Sequence, residues 1–301
     1  MNLYQQVSNN RRKTWFLVAS SAGLLLLVGF IFSQANNNPI WLYIAFLYTV
    51  VTSLVSYWWS DKIVLAMSKA KAVSHDDSPQ LYHLVENLCL AAGLPTPRIY
   101  VIEDSAPNAF ATGRDQQHAA IAFTSGLLVK LDKTELEAVI AHELSHIGNR
   151  DILLATMVAV LVGTVVLMAD WFIRWSFFSG QRKSNNREAG QLQLIFTIVA
   201  IVLAILAPLF AKLIQMAISR RREFLADANS ALLTRYPDGL IRALQKISTD
   251  PEPLKVASRA TAHLYFASPF RNKQGIGGIS KMFMSHPPVE ERIAALRQIN
   301  V

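Results

Sequence analysis

Residues 141–151 read AHELSHIGNRD, and within them His142, Glu143 and His146 form an H-E-x-x-H set. On a helix, residues four apart project from one face, so the two imidazoles can each offer a nitrogen to one ion at about 2.0 to 2.1 Å. Glu143 sits between them, placed to take a proton from an attacking water and pass it to a leaving amine. These types at this spacing point to metal-assisted hydrolysis. In 301 residues with 7 histidines the pattern arises by chance about 0.005 times. The competing reading is a charged helix turn with two surface histidines.

A catalytic zinc site needs a third protein ligand and an open fourth position. The metzincin continuation would place glycine at 149 and histidine at 152, whereas the chain has Asn149 and Ile152. The best remaining candidate is Glu223 in RRREFLADA, with Asp227 one helical turn later. A carboxylate at the first position can ligate the ion while one four residues on reaches the free ring nitrogen of a liganding histidine. The plain alternative is a surface glutamate and an aspartate that balances three arginines.

The elements that must position these groups include membrane segments. The composition is 52% hydrophobic with a mean hydropathy of +0.27, above the usual soluble range. Four apolar stretches, 14–33, 39–59, 153–173 and 192–212, are long enough to cross a bilayer. Only QANNN separates the first two, which makes a tight hairpin with both flanks on one side. The first stretch could also be a signal peptide, with Arg11, Arg12 and Lys13 as its basic region, but its apolar core exceeds the usual length. Those residues together with Lys62, Lys69 and Lys71 place both flanks of the hairpin in the cytoplasm. Arg174, Arg182, Lys183 and Arg187, between the third and fourth stretches, oppose that rule if their loop is external. Either those stretches follow the first hairpin despite their charges, or they enter the membrane without crossing it.

The net charge of +8 gathers beside the apolar stretches, and no nucleic-acid motif accompanies it. Anionic headgroups account for it better. A lone Cys89 excludes an intramolecular disulfide.

Four regions follow: a membrane hairpin at 1–60, the first part of a cytoplasmic domain at 61–152, a second hairpin at 153–218, and the rest of that domain at 219–301. Helical spacing over 80–92 ends near Gly93 and Pro95, and apolar β-branched runs at 98–103 and 119–124 read as strands. Asp132 and Glu135 make a capping box for the helix that carries the histidines. Its stripe of Leu136, Val139, Ile140, Leu144 and Ile147 leaves His142 and His146 to one side. The fold class is mainly α with a small β-sheet. Ligands to one ion must share a side of the membrane, and two spans between His146 and Glu223 satisfy that.

The chain resembles the HtpX-type membrane zinc endopeptidases, relatives of the type I CAAX prenyl protease. The resemblance covers nearly the whole length: the paired N-terminal spans, PNAFATG at 107–113, TSGLL at 124–128, AHELSHIGNRD, two further spans, REFLADA at 222–228, TAHLYF at 261–266 and SHPPVEERI at 285–293. It implies about four transmembrane helices with a zincin-like, gluzincin domain, and one Zn2+ per chain held by His142, His146 and Glu223. Glu143 would be the base and Asp227 would support a ligand. Asn108, Ala109 and Phe110 would border the cleft, where substrate could pair as an added strand, against the reading of a plain strand end. His286 would donate to the oxyanion, against that of a histidine before a Pro-Pro turn. His263 reads as a packing residue, and Glu290 and Arg292 as a solvated helix face.

The implied role is quality control, with stress-response character: hydrolysis of misfolded or damaged membrane proteins at the cytoplasmic face of the cell's inner (plasma) membrane. Partners are protein substrates and the lipid bilayer, not nucleic acid; the oligomeric state is left open. Two other readings stand. One is a site-two-type intramembrane protease using Asp238 of Pro237-Asp238-Gly239, which the charges on the histidine helix oppose. The other is a non-catalytic membrane scaffold.

Overall fold

The structure is a computed structural model that describes residues 3–35, 37–161, 163, 164, 174, 220–258, 260–269 and 287–299. Two long helices, α1 (Leu3–Ala35) and α2 (Ile40–Met67), open the chain, and their apolar stretches Arg12–Gln34 and Ile40–Met67 are each long enough to cross a membrane. Only 11% of the apolar window of α2 is buried, and Tyr43 and Leu47 are 70% and 64% exposed. A helix with so much uncovered apolar surface is stable when lipid covers it. The turn between them starts α2 at Pro39, with Asn38 Oδ1 accepting from the Ile40 N–H at 3.0 Å. Gly29 lets the two helices approach, since a Cβ there would overlap that of Ala45.

A four-stranded mixed sheet follows, built from β1 (Lys71–Ala72), β2 (Arg98–Ile102), β3 (Ala109–Gly113) and β4 (Ala119–Thr124) in the order β1-β2-β4-β3. β2 runs parallel to β4; the two outer pairings are antiparallel. The central strand β4 is buried along its whole length, and its side chains alternate between two cores. Ala119, Ile121 and Phe123 face a helical layer, while Ala120 and Ala122 face Val64 and Leu65 of α2 with Tyr265. The sheet thus joins the soluble helices to the foot of the hairpin.

The helical layer comprises α3 (Pro79–Ala92), α4 (Ser125–Lys130), α5 (Lys133–Gly148), α7 (Arg220–Thr234), α8 (Pro237–Thr249) and α9 (Val289–Leu296), with a 3-10 turn at Ala262–Leu264. α3 ends where the sequence marks it, at Gly93 with φ of 66°, a left-handed cap that glycine adopts without penalty. The strands expected at 98–103 and 119–124 are present as β2 and β4.

Of the expected later spans, 153–173 is described chiefly over α6 (Ile152–Leu161) and 192–212 lies outside the described residues. α6 is packed inside the protein: Ile152 joins the helical core, and Ala159 and Val160 join the core on the other face of the sheet.

Candidate active site

α5 holds the centre of the molecule. Asp132 caps it by accepting from the Glu135 N–H at 2.9 Å, and the Glu135 carboxylate returns a bond to the Asp132 N–H at 2.9 Å, the box read from the sequence. Glu135 is buried, and Lys246 at 2.7 Å and Arg242 at 3.4 Å balance its charge. The apolar stripe of α5 lies in the core as expected, and His142 and Glu143 are buried beside it. α7 packs alongside, fastened by Ser230 Oγ donating to the Ala138 carbonyl at 2.7 Å. That contact brings Glu223, in the first turn of α7, to the histidines.

The three donors meet at one point. His142 Nε2 and His146 Nε2 are 3.2 Å apart, and the Glu223 carboxylate oxygens stand 3.8 and 3.7 Å from them. Tetrahedral ligands at zinc-like bond lengths are separated by about 3.3 Å, so the two imidazole nitrogens and a Glu223 oxygen are close enough together to hold one such cation.

Each imidazole is oriented from behind. His142 Nδ1 lies 2.9 Å from Asp227 Oδ1, and His146 Nδ1 lies 3.2 Å from Asp151 Oδ2. With each Nδ1 held by a carboxylate, both Nε2 atoms face the shared space, where a cation would take the lone pairs of two neutral imidazoles. Asp227 is gripped by Arg292, whose Nε and Nη2 donate to its two oxygens at 2.8 and 2.6 Å. Arg292 also lies over the ring of Phe266, which meets His142 edge-on with centroids 4.9 Å apart.

Burial raises the Asp227 carboxyl, but the charge and hydrogen bonds of Arg292 together with those of His142 outweigh it and hold the group below the usual range. Burial pushes His142 down to about 4, with Asp227 opposing in part. His146 is driven the other way, to about 9: burial lowers it, and the bond from Asp151 with the charges of Glu223, Asp151 and Glu143 more than reverses that.

The donors line a cavity of about 50 Å³ together with Glu143, Ala111 and His263. Asn108, Ala109 and Phe110 are not in that lining. The Asn108 side chain exchanges hydrogen bonds with the backbone of Ala267 at 2.9 and 3.1 Å, Ala109 accepts from the Phe266 N–H at 2.8 Å, and Phe110 packs edge-on against Tyr265. The residue of that strand at the cavity is Ala111. Asn108 bonds toward β4, so by antiparallel alternation the N–H and C=O of Ala111 face away from it. His263 is buried, with Nε2 2.9 Å from the Ala155 carbonyl. Asp238 is exposed at the start of α8 and takes no part in the donor group, and His286 lies outside the described residues.

One sequence reading changes. Arg292 is not on a solvated face: it is 1% exposed and buried on Asp227, because α9 turns that side inward while Glu290 stays exposed. Asp151, at the end of the AHELSHIGNRD stretch, is a further site residue that the structure adds. Its Oδ1 also receives Asn10 Nδ2 at 2.6 Å and Arg222 Nη1 at 3.3 Å. Its spacing of five from His146, past a helix end, was the only signal available.

Residues 75–300 match peptidase family M48. The chain belongs to that family. A Protease HtpX homolog of Dictyoglomus turgidum is 42% identical over 98% of this chain and 94% of its own length. Homologs of the same description from Lactobacillus helveticus (41%, 99% of this chain, 100% of theirs) and Thermococcus sibiricus (42%, 95% of each) are similarly close. Among solved structures, the crystal structure of S. mikatae Ste24p is similar in fold, with a TM-score of 0.50 and 21% identity over 97% of this chain and 67% of that one. This M48 member is a membrane metallopeptidase, a hydrolase of a metal-dependent family, and His142, His146 and Glu223 are a group of its described residues that could hold a metal ion.

Proposed function

We propose that this M48 peptidase is a zinc endopeptidase in which His142, His146 and Glu223 hold one Zn2+ per chain and Glu143 is the general base. The observation that carries the reading is the convergence of donor atoms, the two Nε2 atoms 3.2 Å apart with one Glu223 oxygen 3.8 Å from His142 and the other 3.7 Å from His146, at the cavity that Glu143 also lines. Zinc when bound supplies Lewis acidity, which makes water a nucleophile near neutral pH and polarises the scissile carbonyl. Asp227 and Asp151 keep the imidazoles aimed, and Arg292 keeps Asp227 ionised. Glu143 accepts the proton of the attacking water and delivers it to the leaving amine. A substrate in extended form pairs with the outward N–H and C=O of Ala111, as an added strand next to β3. The stretch Asn108 to Phe110 serves that edge by holding it in place, and His286 is the family-matched donor to the oxyanion.

The fold is zincin-like of the gluzincin kind, with four membrane segments in two hairpins and the catalytic domain on the cytoplasmic side of the plasma membrane. Because α1 and α2 lead directly into the sheet beside the cavity, the cleft is suited to loops and partly extruded segments of damaged membrane proteins, a quality-control role. The test is purified protein in detergent assayed on casein and on a membrane-protein substrate, wild type beside Glu143→Gln, with metal analysis of both. Zinc in both and a rate reduced by about 10² to 10⁴ in the variant is the expected result. Equal activity would remove Glu143 from the mechanism.

A further inference from the structure

We propose that His75, His83 and Glu86 form a second binding site, for a late first-row divalent cation of the zinc class, on the face of the domain that carries α3. Their donor atoms lie within 4.8 Å of one another, and none of the three lines the cavity that holds His142. His83 and Glu86 are one turn apart on α3, with His83 Nδ1 and Glu86 Oε2 at 3.7 Å. His75 comes from the turn before that helix, its ring centred 5.0 Å from that of His83.

The turn carrying His75 is braced at several points. Asp77 Oδ2 accepts from the N–H and hydroxyl of Ser74 at 3.0 and 2.6 Å. Tyr82 donates its hydroxyl to the Val73 carbonyl at 2.7 Å, and the Val73 N–H bonds the Ile99 carbonyl of β2 at 3.1 Å. The His75 ring also meets that of Tyr82 edge-on at 5.5 Å. A short loop held in this way presents its imidazole to the helix at little further entropy cost. Contraction from separations of up to 4.8 Å to the about 3.3 Å of a shared tetrahedral ion is made by rotation of surface side chains.

Two imidazoles and one carboxylate form a borderline nitrogen–oxygen set, which favours zinc, nickel or copper over calcium or magnesium. The His75 and His83 side chains are partly exposed, so water completes the coordination and the ion exchanges readily. The bound ion fastens the β1–α3 loop onto α3. The site does not depend on the proteolytic reading, because it shares no ligand with the catalytic group.

Zinc titration of the full chain in detergent, against a fluorescent chelator and with metal-to-protein ratios measured after exchange, tests this. Two equivalents are expected, one tight and one weaker. His83→Ala and, separately, His75→Ala should each weaken the second phase at least tenfold while leaving the first phase, and peptidase activity measured at one equivalent, unchanged. His146→Ala should remove the first phase and leave the second. A single equivalent in the wild type that His146→Ala removes, or a second phase that survives both His75→Ala and His83→Ala, overturns the proposal. Because these side chains are on the surface, their truncation leaves the fold intact, and unchanged thermal unfolding without added metal checks that.

Discussion

Asn10 and Asp151, 141 positions apart, are joined by a 2.6 Å hydrogen bond, and the other oxygen of Asp151 orients His146 at 3.2 Å. A helix that opens the membrane hairpin therefore touches the carboxylate that aims a metal-competent imidazole. All three groups are largely withdrawn from water, where such a bond is held firmly.

Asp151→Asn preserves the shape of the side chain and weakens its hold on His146 Nδ1. Zinc affinity should fall by about 10- to 100-fold, the usual cost of losing such an outer partner. Asn10→Ala should act in the same direction at the low end of that range. Competition with a chelator of known affinity measures both, and wild-type affinity in Asp151→Asn would mean that Asp151 does not orient the ligand.

Arg292→Ala leaves the buried Asp227 carboxylate without its fork of donors. The expected cost is about 3–5 kcal/mol of stability, typical of a buried ion pair broken from one side. Arg292→Lys keeps the charge but cannot span both oxygens, and should recover only part of the loss. Thermal or denaturant unfolding of the three proteins in the same detergent decides it; a loss under 1 kcal/mol in Arg292→Ala would contradict the geometry.

Removing metal should cost both activity and stability. Ligand bound only to the folded state stabilises it by about 4.1 kcal/mol at a thousand times its Kd. Chelation of the holoenzyme should therefore lower its unfolding midpoint, and zinc should restore midpoint and cleavage together. Restoration of the midpoint without cleavage would separate folding from catalysis.

The capping box on α5 carries a pH signature. Hydrogen bonds from Thr134 and from the Glu135 N–H hold the Asp132 carboxyl below its ordinary value. A carboxyl depressed in the folded state stabilises above its unfolded pKa, about 3.9, and that contribution is lost as pH falls through the lower folded value. Asp132→Ala should cost about 1 kcal/mol at neutral pH. The gap from wild type should close as pH falls below about 4. Unfolding curves of both proteins across that range check it, since any protonation elsewhere affects the two alike; a gap independent of pH would exclude the cap.

The elements set by local pattern were readable in advance. The helix at 80–92 is periodic and ends on Gly93, and the D-x-x-E box precedes α5 by a fixed offset. Strand β4 is a short apolar run between polar flanks, though the alternation of its faces between two cores was not apparent from a run that is apolar on both sides. Within the site, His142, Glu143 and His146 lie in one helical turn and so could be recognised together.

Ambiguity remained wherever one residue type serves two environments. Glu290 and Arg292 stand two positions apart on α9, one exposed and one buried, and no charge pattern distinguishes them. The PNAF stretch opens the strand whose Ala111 lines the cavity. Ala111 does so because pairing with β4 fixes which peptide groups and side chains turn outward.

By itself, the sequence determined the groups available for chemistry: two imidazoles and a carboxylate within about one helical turn, long apolar stretches near the N-terminus, and a small sheet after them. Those are properties of short windows, governed by backbone periodicity and local hydrogen bonding. Only the tertiary structure decided that Asp151 stands behind His146 and that Arg292 and Asn10 serve the two carboxylates, while packing brings Glu223 and Asp227, both candidates in the sequence, to the histidines. Apart from His146 and Asp151, such partners meet across 65 to 141 positions of chain, and only the packing of α1, α5, α7 and α9 around a common cavity brings their charges out of water and into contact.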